Sequence, residues 1–156
     1  MNSLKLLVLT VACFFTGCAT LPPPLEMKAQ VENFTLPKLP ASNKALVYVV
    51  RPSLVGWIVR FNVFVDDKEP QSEVGYTRGG QYIYFELEPG QHQILSKADN
   101  WAETTVVAEA GDIIFVMQEV FMGMPMARNK LFRLDDYEGK YHIKTLSTGT
   151  MLKSNK

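Results

Sequence analysis

The sequence predicts an all-β domain, an antiparallel β-sandwich of about seven or eight short strands. Three observations predict it. From Lys44 onward, short runs rich in β-branched and aromatic residues recur; Gly, Pro and Asp separate them; and no long stretch carries the helical period. The runs are ALVYVV, RFNVFV, EVGYT, QYIYFEL, HQILSK, ETTVVAE, DIIFVMQEV and NKLFRL. Neither repeats nor low-complexity arrays interrupt them.

Before the first strand come two segments of different character. Lys5 precedes an uncharged run from Leu6 to Phe15, followed by the small residues Thr16 and Gly17. That run is too short to span a bilayer permanently, so residues 1–17 are read as a secretory signal peptide. Phe15-Thr16-Gly17-Cys18 resembles the lipobox of bacterial lipoproteins, with Phe15 in place of the usual Leu or Val. The resemblance implies that Cys18 is acylated and becomes the first residue of the mature chain. An ordinary signal peptide with incidental cysteines is the alternative. Ala19 follows the cysteine where Asp is the inner-membrane retention signal of enteric-type lipoproteins, which implies the outer membrane, periplasmic face.

Cleavage before Cys18 would remove Cys13 and Lys5, leaving no free thiol and shifting an even count of 16 basic and 16 acidic residues to a formal charge of −1. Disulfides, cysteine metal sites and a cysteine nucleophile are thereby excluded. That charge leaves no footprint for nucleic acid and no polybasic membrane patch. Anchoring falls to lipid, at about 0.8 kcal/mol per buried methylene. Residues 18–43 hold five of the nine prolines, Pro22, Pro23, Pro24, Pro37 and Pro40. They are expected to form an extended tether reaching about 80 Å at roughly 3.3 Å per residue.

Residues 44–146 form the expected sandwich. In QYIYFEL, Ile83, Phe85 and Leu87 share one face and Tyr82, Tyr84 and Glu86 the other, the mark of a half-buried strand. Ile113 to Met117 is apolar on both faces, which predicts a central strand or one covered by the C-terminal segment. Glu88-Pro89-Gly90-Gln91 suits a type II turn and predicts a hairpin, as do Arg78-Gly79-Gly80 and Ala110-Gly111-Asp112. FNVFVDD, GGQYIYFELEPGQHQI and EAGDIIFV together are similar to the small β-sandwich of a family of uncharacterised bacterial lipoproteins that look related to PEGA domains. The strongest matches are Leu87, Pro89, Gly90, His92 and Ile94. Val65-Asp66-Asp67 departs from the family's Val-Asp-Gly, although Asp tolerates a left-handed turn position. The resemblance implies structure and brings no established activity.

Catalytic patterns are weak. Glu86 and Glu88 would hold carboxylates about 7 Å apart, near the spacing of an inverting glycosidase pair, but a solvated strand face gives the same pattern. Asp66-Asp67 and Asp135-Asp136 read as turn residues. His92 and His142 are too few for a three-histidine zinc site. Ser53 and Ser96 lie in no Gly-x-Ser-x-Gly elbow, and Arg78-Gly79-Gly80 lacks the Lys-Ser/Thr ending of a phosphate loop. The expectation is a protein that is not an enzyme and carries no cofactor.

Two loops are unusual. MQEVFMGMPM places Met117, Met122, Met124 and Met126 within ten residues, a thioether set suited to Cu(I) or, without metal, to an adaptable contact surface. SLVGWIV, Ser53 to Val59, is a second apolar loop where turns are usually polar. If EVGYT is a strand of its own, reversals of direction place Trp57, Ile58, Trp101, Phe121, Met122, Met124 and Met126 at one end of the sandwich. Such a surface would bind an envelope protein, a lipid surface or a hydrophobic ligand. The competing reading is that Trp57 folds back as a plug. A Cu(I)-binding lipoprotein and an envelope hydrolase are the alternative functions.

Beyond Leu134, DDYEGKYHIKTL spaces Leu134, Tyr137 and Tyr141 as a helix would, though Gly139 leaves a short edge strand open. Residues 147–156 are expected to fray.

Overall fold

A computed structural model describes residues 21–123 and 126–152; the expected signal peptide, Cys18 and Met124 lie outside them. Each of the eight runs forms a strand: β1 (Ala45–Arg51), β2 (Phe61–Val65), β3 (Glu73–Thr77), β4 (Gln81–Leu87), β5 (Gly90–Lys97), β6 (Trp101–Ala108), β7 (Ile113–Met122) and β8 (Ala127–Leu134). Two helices, α1 (Pro24–Val31) and α2 (Asp136–Thr145), flank them, and the tail adds β9 (Ser147–Thr148) and β10 (Thr150–Met151). The strands make two five-stranded sheets, β8-β7-β1-β4-β9 and β10-β3-β2-β5-β6. The fold is thus a mostly β sandwich, as expected, but the first sheet is mixed: β1 runs parallel to β7, and β4 to β9.

Alternation along the strands decides what each face buries. Val47, Val49, Ile83, Phe85, Ile114 and Val116 of the first sheet meet Val63, Ile94, Val106 and Ala108 of the second, forming the core between them. The opposite face of the first sheet is also apolar, with Leu46, Tyr48, Val50, Tyr82, Phe115, Met117 and Leu134, and it packs against Leu36 and Ile143. Strand β1 is therefore buried along its whole length, and β7 is covered by α2 as its two-sided apolarity predicts. The result is a sandwich with a third layer over one sheet.

That third layer corrects the expectation of an extended tether. Pro24 sits at the start of α1, where its missing donor costs nothing, and LEMKAQV then continues as good helix formers. Met27 and Val31, four apart, are buried, and Lys144 of α2 donates to the Gln30 carbonyl at 2.7 Å. Farther on, the Tyr48 hydroxyl donates to the Lys38 carbonyl at 2.7 Å and accepts from the Lys38 N–H at 3.0 Å, which holds the 33–40 stretch across the sheet.

Three glycine turns reverse the chain without making hairpins. Arg78-Gly79-Gly80, Pro89-Gly90 and Gly111 each carry it from one sheet to the other, because β3, β5 and β6 belong to the second sheet and β4 and β7 to the first. Gly80 and Gly111 adopt the left-handed φ expected of them, whereas Gly90, at φ +147°, opens β5 in place of the type II turn, and none of the three turns pairs its flanking strands. Among the described strands, the consecutive antiparallel pairs are β2–β3, β5–β6 and β7–β8. The tail is not frayed through Leu152: Gly149 lets it step from one sheet to the other, and a Cβ there would lie 2.9 Å from the Tyr76 carbonyl.

Candidate functional site

Counting reversals puts the β1–β2, β3–β4, β5–β6 and β7–β8 connections at one end, and the structure brings them together there. A Cβ built on Gly56 lies 3.7 Å from the Ala127 Cβ, and one on Gly79 would lie 2.9 Å from the Trp57 Cα. Asn100 in the β5–β6 turn donates to the Asn129 carbonyl at 2.8 Å and accepts from the Asn129 N–H at 2.8 Å. The start of β8 therefore lies between the Trp57 loop and the β5–β6 turn.

Arg51 fixes the shape of the Trp57 loop. Its side chain is buried at the end of β1, with the guanidinium 3.9 Å over the Phe61 ring. Nη1 donates to the Val59 carbonyl at 2.7 Å, and Nη2 to the Val55 and Gly56 carbonyls at 3.0 Å each. A longer contact of 3.4 Å reaches Thr77 O. Burial pushes its pKa down to about 10, which still leaves the group charged at neutral pH. Beneath it, Thr77 donates to Gln118, whose amide donates to Ser96 at 2.6 Å; all three are buried. A satisfied polar layer thus closes the sandwich under the loop.

With the backbone pinned this way, the apolar side chains stand outward. Leu54 is 68%, Trp57 63%, Ile58 65% and Met122 74% exposed, with Phe121 and Met126 exposed beside them. Trp57 does not plug the sandwich. Arg60 and Arg78 border the patch, each over the Tyr76 ring, and Arg78 donates to the Ile58 carbonyl at 3.2 Å.

Two expected members fall elsewhere. Trp101 lies on the outer face of the second sheet, its ring 5.2 Å from Phe64 and flanked by the Lys68 and Lys97 ammonium groups. An outward register position on β6, opposite Lys97, puts it there. Met117 is buried against the helical layer, five residues before the exposed Met122 on β7, so it does not join Met122 and Met126 in one coordination sphere. Cys18 and Met124 fall outside the described residues.

The polar candidates other than His142 have structural partners. Glu86 pairs with Lys38 and Glu88 with Lys44. Asp66, at φ +68°, accepts from the Gln93 N–H at 3.0 Å and lies 2.8 Å from His92 Nδ1. The left-handed position is thus Asp66 rather than the Asp67 that replaces the expected glycine. Asp135 precedes α2, and Asp136 faces Lys140 at 4.0 Å. His142 is buried against a cavity of about 350 Å³ lined by Leu21, Pro52, Ser53, Met117, Gln118, Glu119 and Val120. Its Nε2 has no partner, and burial lowers its pKa. No described hydrogen bond joins Ser53, Glu119 and His142 into a nucleophile–base chain. Among the described residues no group of three His, Cys, Asp or Glu is placed to hold a metal, and no helix is long and apolar enough to cross a membrane.

Arg51 and the Thr77–Gln118–Ser96 layer escape sequence reasoning. Their one signal is a cation ending an otherwise wholly apolar strand, ALVYVVR.

An uncharacterised protein of Haemophilus influenzae is 24% identical over 144 residues, which cover 90% of this chain and 80% of that protein. Residues 41–131, from the start of β1 into β8, match a family described as a protein of unknown function, DUF2846. The match takes in the Trp57 loop, the Arg51 anchor and the Met-rich hairpin, and the chain belongs to that family.

Proposed function

We propose that this protein is a lipid-anchored component of the bacterial envelope, held through Cys18 at the periplasmic face of the outer membrane, and that it acts as a non-catalytic binding or assembly module through its apolar loop end. The observation that carries the reading is the pairing of exposure with rigidity. Leu54, Trp57 and Ile58 face solvent beside Met122 of β7, while three carbonyls of the Trp57 loop are clamped by one buried guanidinium. A patch held outward at such cost in buried charge is built to be covered. The resemblance of the strands and turns to small PEGA-like lipoprotein domains favours the same compartment.

In-cell photocrosslinking from positions 57 and 124 tests it. Adducts with a dominant protein or with lipid are expected; their absence at both positions, with the folded protein present in the envelope, would overturn it. The Cu(I) alternative keeps only Met122, Met124 and Met126, and it fails if micromolar protein does not compete with a Cu(I) chelator.

A further inference from the structure

The cavity beside His142 is also where the described chain begins. Leu21 lines it together with Pro52 and Ser53, the residues that lead into the Trp57 loop, and with Gln118, Glu119 and Val120 near the end of β7. Cys18 precedes Leu21 by three residues, a span of at most about 11 Å. Between Leu21 and β1 the chain is docked at two places: α1 packs on α2, and Lys38 is bonded to Tyr48. Little slack is left between the anchor position and the loop end.

From this placement we propose that the occupant of the apolar loop end is the bilayer that holds the Cys18 acyl chains. The domain sits on the membrane surface with Leu54, Trp57, Ile58 and Met122 in the interfacial zone. The inference rests on the reading that Cys18 is acylated. Leu21, within about 11 Å of the anchor, shares a cavity lining with Pro52 and Ser53 at the root of the loop, so the loop end meets the interface at a local concentration that a diffusing partner does not match. Its chemistry suits that interface. Trp57 offers an amphipathic ring at the loop tip, and Arg60, Arg78 and Arg128 at the edge of the patch have long stems that lie along apolar surface while their charges reach headgroups. None of the described ion pairs engages these arginines; the pairs lie at Glu86, Glu88, His92 and Asp136. Glu119 lines a cavity with Pro52 and Ser53, and Asp99 lines one with Val59, Arg60 and Met126. Because Arg51 fixes the backbone beforehand, insertion orders little additional chain.

The chain has two tryptophans, and the structure puts them on different surfaces, so one reports and the other controls. Acylated full-length protein would be purified from envelopes and reconstituted into vesicles of phosphatidylethanolamine and phosphatidylglycerol brominated near the headgroup. In a Trp101→Phe variant, the emission of Trp57 is expected to shift to the blue and lose on the order of half its intensity, as suits a side chain a few ångströms into the interface. In Trp57→Phe, the emission of Trp101 is expected to stay unchanged. The unsubstituted chain gives the same answer by the difference between brominated and unbrominated vesicles. Acylated, vesicle-bound protein whose Trp57 is unquenched would overturn the proposal alone and leave the loop to a protein partner. Protein that mass spectrometry finds without acyl chains would overturn the anchor reading, and the membrane seat with it.

Discussion

Arg51 carries more of the loop end than any other side chain. Arg51→Met keeps much of its volume but leaves the Val55, Gly56 and Val59 carbonyls without a donor. Unmade bonds to a buried charged group justify an expected loss of about 2–4 kcal/mol in chemical denaturation. Arg51→Lys keeps the charge without the fork and is expected to recover only part of that loss. The two histidines give opposite pH signatures. Burial holds the pKa of His142 below the ordinary imidazole value, so unfolding takes up a proton in mild acid. Its stabilising effect is whole above about pH 6.5 and falls as pH drops through that value. For His92, burial opposes protonation, but the Asp66 hydrogen bond, the Glu88 carbonyl and both carboxylates outweigh it and raise the pKa. Its contribution is full below about pH 6.5 and is lost as pH rises through the higher folded value. Denaturation measured between about pH 5 and 8 should therefore show His142→Phe flattening the acid-side decline and His92→Asn deepening it.

The α2–β7 contact depends on the absence of a side chain at Gly139. A Cβ there would lie 2.1 to 2.5 Å from Phe115 atoms, so Gly139→Ala must push the helix off the sheet. Overpacking of this kind costs about 1–3 kcal/mol, which thermal unfolding would detect, despite alanine's better helix propensity. By contrast Trp57→Ser removes an exposed ring and is expected to change stability by no more than about 0.5 kcal/mol. A collapse there would mean that the ring is a plug. The same contrast explains what was legible beforehand. Each β-branched run is a strand because alternating burial writes itself into sequence. The Pro-Gly and Gly-Gly turns signal a reversal, but positive φ carries no mark of which sheet the next strand joins. Helix α1 hides among prolines because Pro24 is harmless only at a first turn, and strands as short as β9 and β10 have no periodicity to read.

Taken as a molecule, the chain is a sandwich with its buried cation, its exposed apolar loops and its first described residue, Leu21, at one end. That clustering was partly legible. Counting EVGYT as a strand sets the parity that unites the Trp57 and Met-rich loops, and β3 supplies it. The faces of single residues were not legible, since Trp101 needed the β5–β6 register and Met117 needed the helical layer. Nor was the docking of residues 24–38 on the fold, which depends on α1 packing against α2. The reading of the protein as a membrane-seated module depends on the chemistry at Cys18. Intact-mass spectrometry of the full-length gene product extracted from envelopes reads that chemistry directly. The account predicts a chain beginning at Cys18 with a diacylglyceryl thioether and an acylated amine; a chain beginning elsewhere, or an unmodified Cys18, would contradict it.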